Sequence, residues 1–256
     1  MLLVSLLCAL LGISVAAKPV VQRHFNSTAW TSDYVLQPEE VIVFGEGRME
    51  VVHESVYRQI LFSQGLSHSV LDINDVPLES QTVPQDTSKI EHRDSCDLTT
   101  AVITDTTQSF VDWDVQMSPV VIGTGNGIDV SVSSGYSVSN GISVSAGLDL
   151  SLVKDKLGSS VGVDYTRTWT TQTVVTVKAT VPDGYSGVMI TKPIKTRKNG
   201  RVLRGCLGSQ TQDGTFSADS FQDGSYAGVK WVSGAITMCA KKEFPLSRCS
   251  GNGNFI

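Results

Sequence analysis

Apolar residues occupy every second position over much of this chain, the period of a β-strand with one buried face. The clearest run starts at Ile128. Ile128, Val130, Val132, Tyr136, Val138, Ile142, Val144, Leu148, Leu150 and Leu152 stand on even numbers, while the odd positions carry only Ser, Gly and Asp. Within it a six-residue unit recurs as SGYSVS, NGISVS and AGLDLS, and an even repeat returns its apolar residues to the same side of a strand. Three copies are few for a β-helix. A second alternation puts Val161, Val163, Tyr165, Arg167, Trp169, Thr171, Val175, Val177, Ala179 and Val181 on one face. With a turn at Val153 to Gly158, the two arms predict an amphipathic antiparallel hairpin of about 75 Å if straight, or successive shorter strands if its glycines bend it. Asn140 and Arg167 interrupt its apolar side.

The surrounding sequence has the same texture. Val111, Trp113, Val115 and Met117 alternate with polar residues and predict one more strand. The pairs Asp183-Gly184, Asn199-Gly200, Asp213-Gly214 and Asp223-Gly224 predict turns. No helical periodicity competes from Cys96 onward, so residues 94–256 are expected to be mainly β, an antiparallel sandwich-like or elongated domain. Ahead of it, Glu40 to Phe44 predicts a strand, Gly45-Glu46-Gly47 a turn, and Val52, Val56, Gln59 and Ile60 a helix. Leu71 to Arg93 is polar and reads as a linker.

Charge separates these regions. Of 25 acidic and 20 basic residues, Lys18 to Arg93 holds 11 and 6, so the net −5 of the chain belongs to this stretch and the rest is neutral. The whole has no cationic excess for nucleic acid. An acidic pro-segment, 18–93, is the expectation, with removal after Arg93 and retention both open. Met1 to Ala17, apolar and ending in Val15-Ala16-Ala17, predicts a secretory signal cleaved after Ala17. Asn26-Ser27-Thr28 is an N-glycosylation acceptor at Asn26. Once Cys8 leaves with the signal, Cys96, Cys206, Cys239 and Cys249 remain for two disulfides in an oxidising compartment. Three pairings are open; Cys206 with Cys239 and Cys96 with Cys249 is the favoured one.

All four histidines lie before residue 94. The larger domain therefore lacks the means for Ser-His-Asp, Cys-His or His-metal chemistry, and no cofactor or metal is expected. Asp112 and Asp114, two apart on a strand, could form a glycosidase pair; solvent-facing aspartates around Trp113 are the plainer explanation. Asp213, Asp219 and Asp223 offer oxygen for calcium, although Asp-Gly turns account for two of them. Lys192, Lys195, Arg197, Lys198, Arg201 and Arg204 surround Asn199-Gly200 and predict a basic hairpin. Its partner would be an anionic glycan or membrane surface, or it is simply a solvated turn, and the acidic pro-segment could mask it.

Two resemblances add to this. FVDWDVQMS (110–118), SVSSGYSVSNGISVS (131–145), DYTRTWTT (164–171), VPDGYSGVMI (181–190), Gly205-Cys206 and PLSRCSGNG (245–253) resemble the secreted effector-like proteins of ascomycete fungi. That implies a fungal source and a non-enzymatic, virulence-related role outside the cell, toward a host or cell-surface partner. The Ser/Thr-rich hairpin followed by Val175 to Gly184 is similar to the aerolysin-type β pore-forming proteins, which implies an oligomer whose hairpins enter a membrane. Arg167 facing lipid would cost about 2–4 kcal/mol per copy.

Overall fold

A computed structural model describes residues 26–66, 96–172 and 177–256. Ala17, Arg93 and the linker 71–93 fall outside them; Asn26 is described and exposed. The N-terminal segment forms β1 (Thr28–Ala29), β2 (Val35–Leu36), β3 (Glu40–Gly45), β4 (Arg48–His53) and helix α1 (Glu54–Ser63). Then come β5 (Thr99–Val111), β6 (Val115–Gln116), β7 (Val121–Ile122), β8 (Ile128–Ser131), β9 (Ser137–Ser139), β10 (Gly141–Val144) and helix α2 (Leu150–Val161). β11 (Thr168–Thr170), β12 (Lys178–Val181), β13 (Ser186–Gly205), β14 (Thr211–Phe221), β15 (Asp223–Tyr226), β16 (Val229–Val232) and β17 (Gly234–Lys241) complete the order. The mainly antiparallel β architecture agrees with the sequence pattern.

The 20-residue β13 is the axis. Its first half lies between β17 and the short β6 and β7, its second half between β14 and β5, and β10 extends the sheet beyond β14. β3 adds to β17 through Phe44↔Gly234, Val43↔Ala235 and Ile42↔Ile236, with β4 and β1 outside it. The acidic N-terminal segment thus supplies edge strands to the main sheet. Ile42, Phe44, Met49 and Val51 from β3 and β4 share a buried core with Met189, Ile236 and Trp231. Val130, Val132, Trp169, Ala179 and Val181 close that core from above, giving two layers. On the outer face, Tyr57 and Leu61 of α1 cover Val41, Val52 and Val111, while Leu246 and Phe255 of the C-terminal segment cover Val188 and Ile190.

The two alternating arms do run antiparallel, but not as one uninterrupted hairpin. β8 pairs with β12 (Val130↔Ala179) and β9 with β11 (Val138↔Trp169), and Asn140 N–H donates to Arg167 O at 3.0 Å. Beyond Asn140 the arms part. β10 crosses to β14, and the expected turn at 153–158 lies inside α2. Asp149 caps α2 by accepting from Ser151 N and Leu152 N, Gly162 ends it in the left-handed region, and Val153 and Leu157, one turn apart, pack on Val202, Phe216 and Ala218.

The Asn199-Gly200 pair is not a turn. Both residues lie mid-strand in β13, opposite Ser217 and Phe216 of β14. A Cβ on Gly200 would meet Ile103 O and the Phe216 ring (2.6 Å), so this glycine makes room for an aromatic ring. Asp213-Gly214 and Asp223-Gly224 likewise sit within strands. Only Asp183-Gly184 turns: Gly184 has φ +75° and Tyr185 N–H donates to Pro182 O at 3.2 Å.

The favoured disulfide pairing is corrected as well. Cys96 bonds Cys206, and Cys239 bonds Cys249. Cys239 stands opposite Val188 near the start of β13, whereas Cys206 lies just past its far end at Gly205, well beyond the roughly 7 Å between Cα atoms that a disulfide spans.

Candidate binding cleft

Opposed residues of an antiparallel pair share a face. Gly141 of β10, Asp219 of β14 and Arg197 of β13 therefore form one row across three strands, with Ser143 and Ser217 side by side in the next. Phe221 opposes Lys195 one step the other way. This surface floors a cleft of about 460 Å³, walled by Val138, Ser139 and Ile142 and rimmed by Asp112 just past the end of β5. The volume lies in the range of roughly 300–1,000 Å³ usual for small-ligand sites. A Cβ on Gly141 would meet nothing within 4 Å, so the absent side chain keeps the floor open.

The cleft's charges neutralise one another. Lys195 Nζ lies 2.6 Å from Asp112 Oδ2 and 3.3 Å from Asp219 Oδ2. Arg197 donates from Nε and Nη2 to the two oxygens of Asp219, both at 2.7 Å. The cations also sit over rings, Lys195 5.2 Å from the centroid of Phe221 and Arg197 5.6 Å from that of Phe110. Burial pushes the Asp219 carboxyl upward, but the hydrogen bond from Arg197 and the charges of Lys195 and Arg197 outweigh it and hold the acid below its ordinary value.

The basic residues expected on one hairpin are dispersed along β13. Lys192 is buried with Nζ 3.8 Å from Glu54, and Arg201 Nε is 3.2 Å from Asp105. Lys198 donates to Thr107 Oγ1 at 3.3 Å, while Arg204 is exposed and has no side-chain partner among the described residues. Four of the six thus face carboxylates. Glu54 to Lys192 is the ion pair that joins the acidic N-terminal segment to this set among the described residues.

Asp112 and Asp114 take different partners. The strand breaks between β5 and β6 and turns Asp114 inward, where it is 1% exposed and accepts from Ser250 N at 2.6 Å, while its other carboxylate oxygen has no hydrogen-bond partner among the described residues. Burial raises its pKa, and the hydrogen bonds from Ser250 and Cys249 with the charges of Lys192 and Arg248 offset this only in part. The carboxylate that does approach Asp112 is Asp219, across Lys195. Nor do the calcium candidates converge. Asp219 is held by Arg197, Asp223 accepts from Trp169 Nε1 at 2.7 Å and pairs with Arg167, and Asp213 is exposed. The cluster of ligand-type atoms at Asp114, Cys239 and Cys249 has its two sulfurs bonded to each other.

Sequence reasoning reached Asp112, Lys195, Arg197 and Asp219 separately. It did not join them, nor find Ser143, Ser217 and Phe221, because the cleft depends on β10 pairing with β14 across more than seventy residues. No protein-family model matches this chain, and no curated protein is detectably similar to it.

Proposed function

We propose that this chain is a secreted, effector-like protein that acts outside the fungal cell by binding a host or cell-surface partner and not by catalysis. The observation that carries the reading is the ionic state of the cleft. General acid catalysis by a carboxyl group needs a raised pKa, and glycoside hydrolysis needs one acid and one base. Here Asp112 and Asp219 share a lysine, and Asp219 is held ionised by Arg197. Two disulfides fit an extracellular setting, and among the described residues no helix is long and apolar enough to cross a membrane.

Binding is favoured over aerolysin-type insertion by how the ribbon of β8, β9, β11 and β12 is fastened. Its two polar interruptions are its anchors. Asn140 donates to Asp164 O and accepts from Phe221 N, both at 2.8 Å, and Arg167 pairs with Asp223 while lying 4.9 Å from the Trp169 ring centroid. Insertion would have to break all of these and expose the core face. The test uses the secreted product, expected to begin at Lys18, with dye-loaded anionic liposomes and a polysaccharide panel. Retained dye, no released sugar and saturable binding to host cell surfaces are expected; dye release or sugar hydrolysis would overturn the reading.

A further inference from the structure

We infer that the cleft over β10, β14 and β13 is a site for a neutral sugar ring, a ligand class that deepens, and rests on, the binding function proposed above. Three observations converge. The first is charge balance: Asp112, Asp219, Lys195 and Arg197 cancel, so the cleft offers no net attraction to an anion or a cation. A charged or zwitterionic guest would have to compete with the two-pronged Arg197–Asp219 contact already made at 2.7 Å.

The second is unused hydrogen-bonding capacity. Lys195 has three N–H donors and two carboxylates beside it, leaving one. The guanidinium of Arg197 uses Nε and Nη2 on Asp219 and keeps Nη1. Asp112 meets Lys195 through Oδ2 and retains Oδ1 as an acceptor. The hydroxyls of Ser143 and Ser217 have no hydrogen-bond partner among the described residues. Donors and acceptors gathered on one surface suit vicinal hydroxyls, each of which both gives and receives.

The third is shape and apolar lining. Phe221 and Val138 add apolar surface beside the polar groups for the C–H face of a pyranose, and the missing side chain at Gly141 leaves the ring its space. Ser139 is already committed to Thr168 Oγ1 at 2.8 Å and contributes shape rather than specificity.

Calorimetric or NMR titration of the secreted chain with neutral gluco-, xylo-, manno- and chito-oligosaccharides, alongside oligogalacturonate and heparin fragments, tests this. A neutral oligosaccharide is expected to bind with an affinity insensitive to salt, since no net charge is neutralised. Gly141→Leu, which fills the cleft from a backbone position with free space around it, should abolish that binding without shifting the thermal midpoint. Ser143→Ala with Ser217→Ala should weaken it about tenfold, the loss of two modest hydrogen bonds. Binding of acidic sugars alone, weakening with salt, overturns the assignment, as does failure of every sugar to bind or unchanged binding in Gly141→Leu. Hydrolysis of a bound neutral sugar would support the site while refuting the non-catalytic function, so the two can fail separately.

Discussion

Asp219 and Asp114 are both largely buried acids, yet their surroundings drive them in opposite directions, and pH separates them. The folded pKa of Asp219 lies below 3.8, so its stabilising contribution is full above 3.8 and is lost as pH falls through the folded value. Asp219→Asn leaves Arg197 and Lys195 short of a carboxylate and should cost roughly 1–3 kcal/mol at pH 7, less than the removal of a fully buried partner. In urea titrations that gap should close in strong acid. Asp114 has a folded pKa raised above 3.8, so the wild type binds the proton more tightly when folded and loses stability as pH rises through that window. Asp114→Asn, which keeps an acceptor for Ser250 N, should therefore gain on the wild type as pH rises, the reverse of Asp219→Asn. Gly200→Ala should destabilise by about 1–3 kcal/mol, because its Cβ would overlap Ile103 O and Phe216. Sequence reasoning saw that glycine and assigned it to a turn: Asn-Gly marks a hairpin only when no ring needs the space beside it, and Phe216 lies sixteen positions away.

Among elements, the parity of the two arms was legible because a strand's period is independent of its partner. Val130, Val132, Tyr165, Trp169, Ala179 and Val181 are all buried, as the alternation requires. The departure of β10 to β14 and the formation of α2 were not, since even-numbered Leu148, Leu150 and Leu152 continue the strand pattern into the helix. The signal that competes is Asp149 at an N-cap, Val153 and Leu157 one turn apart, and Gly162 beyond the end. The strand and helix of the N-terminal segment were also legible, but their docking was not, because Ile42↔Ile236 spans almost the whole chain. This docking makes a prediction. A protease site introduced between 71 and 93 and cut after folding should leave the two pieces co-eluting, since β3 is paired with β17 and Ile42, Phe44, Met49 and Val51 of β3 and β4 share the core. Expression of 94–256 alone should yield a protein that binds a hydrophobic dye; a compact monomer with a native-like thermal transition would refute the structural role of the segment.

At the scale of the whole molecule, two covalent ties pin opposite ends of β13. Cys96–Cys206 closes the far end of the β5 and β13 pair over a separation of 110 residues, and Cys239–Cys249 fastens the C-terminal cover over Val188 and Ile190. Replacing Cys96 and Cys206 together by Ala should cost roughly 3–5 kcal/mol on the chain-entropy account, and peptide mapping of the unreduced protein should recover these two pairs. The ribbon above and the sheet below, including the N-terminal strands, enclose a single core. Native-state hydrogen exchange measures this directly. Amides of β8 and β12 should exchange only through the same global opening as those of β3, β13 and β17, with or without anionic liposomes present. Ribbon amides that exchange through a separate, low-energy opening, or lose protection on contact with lipid, would contradict it.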